Sequence, residues 1–153
     1  MPTTRGFSLP EVVIALGVLA LLLAAAAPSF RGLLLEARMT TAVNELVHTA
    51  HLAHQAAQAH DRDIVVCRST DGEQCAPPGN WAAGWMVFVN RDRDDPPVAD
   101  PGEPVLHASS AHLLTAIDSN RHAFVMRPFP LRSTNGTVVF CDVRGAGDAR
   151  AVI

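Results

Sequence analysis

The sequence predicts an α+β fold in which one long N-terminal helix packs on an antiparallel β-sheet. Three observations carry that expectation. An apolar stretch runs from Phe7 to Ala27 with Glu11 as its single charge. Beyond Pro28 the apolar residues recur at three- and four-residue steps, the period of a helix that buries one face. After Asp63 the period changes to two, and Gly, Pro and Asp punctuate the chain as they do between short strands. At 153 residues, setting the apolar N-terminus aside leaves about one small folded unit.

The first six residues, Met-Pro-Thr-Thr-Arg-Gly, form a short polar leader. A helix over residues 7–27 is about 31 Å long at about 1.5 Å per residue, which matches a hydrocarbon core of about 30 Å. Residues 7–28 are therefore expected to be a single membrane-spanning helix half. Arg5 precedes it and no basic residue follows until Arg31, which orients the N-terminus to the cytoplasm. A secretory signal peptide would have a shorter apolar core without a carboxylate. An ordinary anchor would explain the hydrophobicity but not the grouping of Gly6, Phe7 and Glu11.

Residues 29–61 read as the amphipathic continuation of this helix. Its apolar positions are Phe30, Leu33, Leu34, Ala37, Val43, Leu46, Val47, Ala50, Ala53 and Ala57. Arg31, Glu36, Arg38, Asn44, Glu45 and Gln55 form the expected solvated face, with a bend at Pro28 and Gly32. Residues 62–153 form the sheet domain. Strands are expected at Ile64–Cys67, Gly84–Val89, Pro104–His107, His122–Met126 and Thr137–Cys141, with a last one from Ala149. Neither a half-apolar helix nor a half-apolar sheet can bury its face alone, so the two should pack together.

The net charge is −3, with arginine as the only basic residue type that is permanently charged. That total gives the molecule no electrostatic reason to seek nucleic acid or an acidic surface. Its distribution is uneven. From Asp61 to Asp118 there are ten acidic residues against four arginines, and from Arg121 onward five arginines against two aspartates. Three cysteines, Cys67, Cys75 and Cys141, allow one disulfide and one spare thiol. A Cys67–Cys75 bridge would close a short loop, and Cys67–Cys141 would link two strands.

Three constellations bear on chemistry. His48, His51, His54 and His60 lie on the long helix, but successive three-residue steps rotate around it and no H-E-x-x-H occurs, so no metal site is expected. Asn90–Asp95 opens like a calcium loop, yet Asp95 and Pro101 stand where an EF-hand requires Gly and Glu; the segment reads as a solvated acidic turn. No catalytic-cysteine signature, Gly-x-Ser-x-Gly or phosphate-cradling loop appears, so neither an enzyme nor a cofactor is expected.

The grouping Gly6-Phe7-Ser8-Leu9-Pro10-Glu11 resembles the class III signal of type IV pilins and type II secretion pseudopilins. The resemblance implies that a prepilin peptidase cuts after Gly6, that Phe7 is N-methylated, and that Glu11, at the fifth mature position, acts in assembly. It further implies a bacterial inner-membrane protein with a periplasmic C-terminal domain, partnered by other pseudopilins or minor pilins. The spacing of Cys67, Asp71-Gly72, Cys75, Trp81, Gly84 to Phe88, Gly102 to Leu106, Cys141-Asp142 and Arg144-Gly145 is similar to the GspH/FimT family. That family's function is filament assembly and protein secretion. Its DNA-capturing members point to an alternative in which Arg132, Arg144 and Arg150 bind DNA phosphates. The Gly-Arg-x-Arg tail of those members is missing here.

Overall fold

The computed structural model describes residues 8–152, apart from the side chains of residues 26–29. Helix α1 spans Leu9–His60. The chain divides into two compact units, one through Ala37 and one from Arg38 onward.

In the first unit α1 carries apolar residues on all sides from Leu9 to Ala25, with Glu11 as the one charge there; Arg31 and Glu36 follow. Leu9, Val12, Ile14, Leu16, Leu19, Leu22, Phe30, Leu33 and Leu34 are exposed, so Phe30, Leu33 and Leu34 are not the buried positions that the helical spacing led us to expect. Among the described residues no single helix is long and apolar enough to cross a membrane; Leu9–Ala25 and Phe30–His60 meet that test only together. Gly6 and Phe7 lie outside the described residues, as do the side chain of Pro28 and the bend expected there.

The second unit holds the core. The helix stops at His60 because Asp61 takes a left-handed conformation, φ 51°, a helix terminator that Asp tolerates better than most residues. The strands are β1 (Asp63–Arg68), β2 (Trp85–Asn90), β3 (Val105–Ala108), β4 (Ala116–Ser119), β5 (Ala123–Met126), β6 (Val138–Cys141) and β7 (Arg150–Val152). They form two antiparallel sheets, ordered β3-β2-β1-β5 and β4-β6-β7. The division into two sheets and the strand β4 were not expected from the sequence. Ile117 is the one fully buried residue of β4, so its apolar signal is too sparse to mark a strand.

Both sheets contribute to one core with the helix. Met39, Ala42, Leu46, Ala53 and Ala57 of α1 pack with Ile64, Val66, Trp85, Val87, Ile117 and Phe140. Each large apolar side chain removed from water here contributes roughly 1.5–3 kcal/mol. The larger sheet is covered on its other face too: Val65, Cys67, Met86 and Phe88 are buried with Ala99 of the β2–β3 connection. This explains why β2 reads as an unbroken apolar run, because strands buried on both faces lose the two-residue alternation.

Two loop residues fix how the sheets meet. Asn80 caps the single helical turn Trp81–Ala83, its Oδ1 accepting from Ala82 N, and the same oxygen accepts from Ile117 N at 2.9 Å while its Nδ2 donates to Thr115 O at 3.1 Å. One side chain thus joins the turn before β2 to β4. Gly84 adopts φ 121°, and a Cβ there would lie 2.6 Å from the carbonyl oxygen of Ser109. No side chain fits that position without displacing backbone.

Candidate functional site: the assembly helix and its contacts

Glu11 stands in the first turn of α1, and its Oε2 accepts from the Ser8 backbone N–H at 3.4 Å. This is half of a capping box, in which a carboxylate at the third helical position satisfies an N–H that the helix leaves open. The carboxylate is exposed among apolar neighbours: Glu11, Val12, Ala15, Leu16 and Leu19 line one shallow surface hollow. A charge on an otherwise apolar helix costs on the order of 2–3 kcal/mol in a bilayer unless something neutralises it.

Farther along α1, Glu45 does not stand in the solvated face the sequence suggested. Its Oε1 accepts from the Ser109 hydroxyl at 2.6 Å, and His112 Nε2 lies 3.0 Å from that same hydroxyl oxygen. A carboxylate can only accept, so the Ser109 proton points to Glu45 and His112 Nε2 carries the proton of the second bond. His112 stacks on Trp85 with ring centroids 4.5 Å apart, and Trp85 Nε1 donates to Thr49 Oγ1 at 3.1 Å. Burial pushes the His112 pKa down while the Glu45 charge pulls it up, and the net direction is down. The cluster clamps two successive turns of α1, at Glu45 and Thr49, onto β2 and the β3–β4 connection.

Glu45, Ser109 and His112 are the residue types of a hydrolytic triad, but the polarity is wrong for one. Nucleophilic catalysis requires a histidine that accepts the serine proton. Here the serine gives its proton to the carboxylate and accepts from the imidazole, which makes the arrangement a structural clamp. No local motif announces it, since Ser109 lies 64 positions from Glu45.

The disulfide joins Cys67 and Cys75, and Cys141 is a free, half-buried thiol. The bridge pins the loop after β1, where Asp71 Oδ1 accepts from the N–H groups of Glu73 and Gln74 and from Ser69 Oγ. Those three bonds hold the Asp71 carboxyl below its ordinary range.

The arginines differ in what they face. Arg144 grips the buried Asp142 with Nε 2.9 Å and Nη2 2.6 Å from Oδ2, and these bonds hold the Asp142 carboxyl below its ordinary range. Arg150 donates to Thr40 Oγ1 on α1 at 3.1 Å. Arg132 is exposed, and its carbonyl accepts from Arg127, whose Nε also pairs with buried Asp63 at 3.2 Å. Arg144 and Arg150 are therefore half-buried and make contacts within the fold.

His48, His51, His54 and His60 are all exposed. In the acidic connection after β2, buried Asn90 donates to Asp94 Oδ1 at 2.9 Å and accepts from Arg93 N at 2.7 Å. The carboxylates of Asp92, Asp94 and Asp100 converge. Loss of solvation, then the charges of Asp92, Glu103 and Asp94, raise the Asp100 carboxyl above its ordinary range.

Two family models match the chain. The prokaryotic N-terminal methylation motif covers residues 1–27, and type II transport protein GspH covers residues 42–153. Neither a curated protein nor a solved structure matches it. A prepilin-type signal thus precedes an apolar helix and a helix-on-sheet unit that carries the second match over most of its length, and the chain belongs to the GspH family of type II transport proteins.

Proposed function

We propose that this protein is a minor pseudopilin or minor pilin, a subunit that works by packing into a secretion pseudopilus or type IV pilus. A prepilin peptidase removes residues 1–6 after Gly6 and Phe7 is N-methylated. Residues 7–28 then hold the chain in the bacterial inner membrane, and the unit built from residues 29–61 and 62–153 stands in the periplasm. Glu11 neutralises the N-terminal amine of a neighbouring subunit and sets the axial register.

One observation carries this reading: the first unit is a helix with apolar residues exposed on every side and a single carboxylate in its first turn. A helix whose apolar residues are exposed on every side calls for cover by lipid or by other helices. A carboxylate in the first turn of its apolar stretch calls for a cationic partner. The DNA-capture alternative draws no comparable support, because Arg144 is committed to Asp142 and Arg150 reaches Thr40.

The test is incorporation. With the chain and its secretion partners co-expressed, Glu11→Val is expected to stay in the membrane fraction but to lose co-purification with other pilin-like subunits. Undiminished co-purification of Glu11→Val would remove the assigned role of Glu11.

A further inference from the structure

Where α1 stops, the end of the larger sheet carries an open hollow of about 420 Å³, lined by His60, Arg62, Val89, Arg91 and Pro104. The β1–β2 ladder closes on the pair Asp63 and Asn90, so Arg62 and Arg91 leave the sheet as the next opposed pair. Like charges placed opposite each other destabilise a sheet. The carbonyl end of α1 accounts for one cation in its neighbourhood, but not for a second one supplied by the end of β2.

The two guanidinium groups also differ from most others in this unit. Arg68 donates to the carbonyls of Asn80 and Pro77, Arg121 donates to that of Asn135, and Arg93 and Arg127 pair with Asp63. Among the described residues, the side chains of Arg62 and Arg91 meet no acceptor, and both are exposed. The carboxylates nearby are taken: Asp63 by those two arginines, and Glu103 by the backbone N–H groups of Arg91 and Asp100. Exposed Asp61 pairs with neither.

The hollow is preorganised. Val89 N–H donates to Pro104 O at 3.1 Å and Arg91 N–H to Glu103 Oε1 at 2.5 Å, which fixes the β2–β3 connection beside it. Buried Val89 and the Pro104 ring give it an apolar wall. Such a wall excludes water, which strengthens attraction between charges. A carboxylate fits these donors, since a guanidinium presents parallel N–H groups that match its two oxygens. His60 offers a further N–H whether neutral or protonated. A polyanion does not fit. Beyond Arg91 the chain carries Asp92, Asp94, Asp95 and Asp100, which repel the continuing phosphates of a nucleic acid or the headgroups of an anionic membrane.

We propose that the hollow between the end of α1, the start of β1 and the β2–β3 connection binds an acidic side chain of a protein partner, with Arg62 and Arg91 holding its carboxylate and His60 donating beside them. This adds a recognition site on the sheet unit to the packing role proposed above, and it depends neither on Glu11 nor on cleavage after Gly6.

The experiment titrates the full chain, in an uncharged detergent, into dye-labelled hexaglutamate and reads binding as fluorescence anisotropy. Saturable binding is expected at about 50 mM salt and weaker binding at about 500 mM, because salt screens exposed charges. Hexaglutamine should not bind. Arg62→Gln and Arg91→Gln should each weaken the association about tenfold, the order expected for one charge-assisted pair. Arg132→Gln, also exposed but outside the hollow, makes the same change in net charge and should leave binding within about twofold. No binding of hexaglutamate at low salt, equal binding of hexaglutamine, or an Arg132→Gln loss as large as the other two would overturn the proposal. So would displacement of the labelled peptide by duplex DNA or inorganic phosphate at lower concentrations than unlabelled hexaglutamate, since the hollow would then be a phosphate site. The measurement is blind to maturation, so the two readings fail separately: a cleaved chain that does not bind overturns this site alone, and an uncleaved chain that binds counts against the pilin reading alone.

Discussion

Trp85 donates its indole N–H to the hydroxyl of Thr49 across 3.1 Å, with both side chains shut off from solvent. Thr49 in turn donates to the Glu45 carbonyl one turn back at 2.8 Å. Because the hydroxyl is the indole's partner in a buried place, Thr49→Val keeps the shape and strands a donor. The expected loss is about 1–3 kcal/mol of unfolding free energy, read by denaturant titration of the full chain in detergent. Serine at the same position should recover most of it.

His112 makes stability depend on pH, and the sign follows from its depressed pKa. In the unfolded chain an imidazole takes up its proton near pH 6.5. In the folded unit it does so only at lower pH, because burial outweighs the pull of Glu45. The unfolded state therefore binds more protons as pH falls below about 6.5, and the stability present above that value is progressively lost. His112→Gln should flatten this part of the profile, measured as unfolding midpoints at pH 7.5 and 5.5. Glu45→Gln should steepen it, since the one group that favours the imidazolium is gone.

Cys67 and Cys75 are eight positions apart, and closing so short a loop is worth about 2.5 kcal/mol in the chain-entropy account. A Cys67→Ala, Cys75→Ala chain should lose an amount of that order. Its effect should be local, because the bridge pins the loop that covers the outer face of the larger sheet. Hydrogen exchange should therefore accelerate around residues 69–76 before it does along α1.

The parts of the fold legible in the sequence were those set by period. The helix end near His60 and six of the seven strands followed from changes of spacing. The grouping into two sheets did not, because strand pairing is long-range in sequence; the bonds by which Asn80 joins the turn at Trp81 to β4 are equally long-range. β4 was invisible because Ile117 alone is fully buried in it. The pairing of Cys67 with Cys75 could not be chosen from spacing. The clamp of Glu45, Ser109 and His112 lay outside any local reading, since its members meet only after β3 has crossed beside β2. The pairing of Arg144 with Asp142 was not read from the sequence either, because nothing local marks that aspartate as buried and so able to draw the arginine back onto it.

The claim on which the functional account depends is that the chain matures by cleavage between Gly6 and Phe7. The most direct measurement is the intact mass and N-terminal peptide of the chain co-expressed with a prepilin peptidase. The account predicts a product that begins with N-methylated Phe7, and a Gly6→Ala chain that keeps residues 1–6. A chain that still begins at Met1, or a Gly6→Ala chain cut as efficiently as the parent, would contradict it.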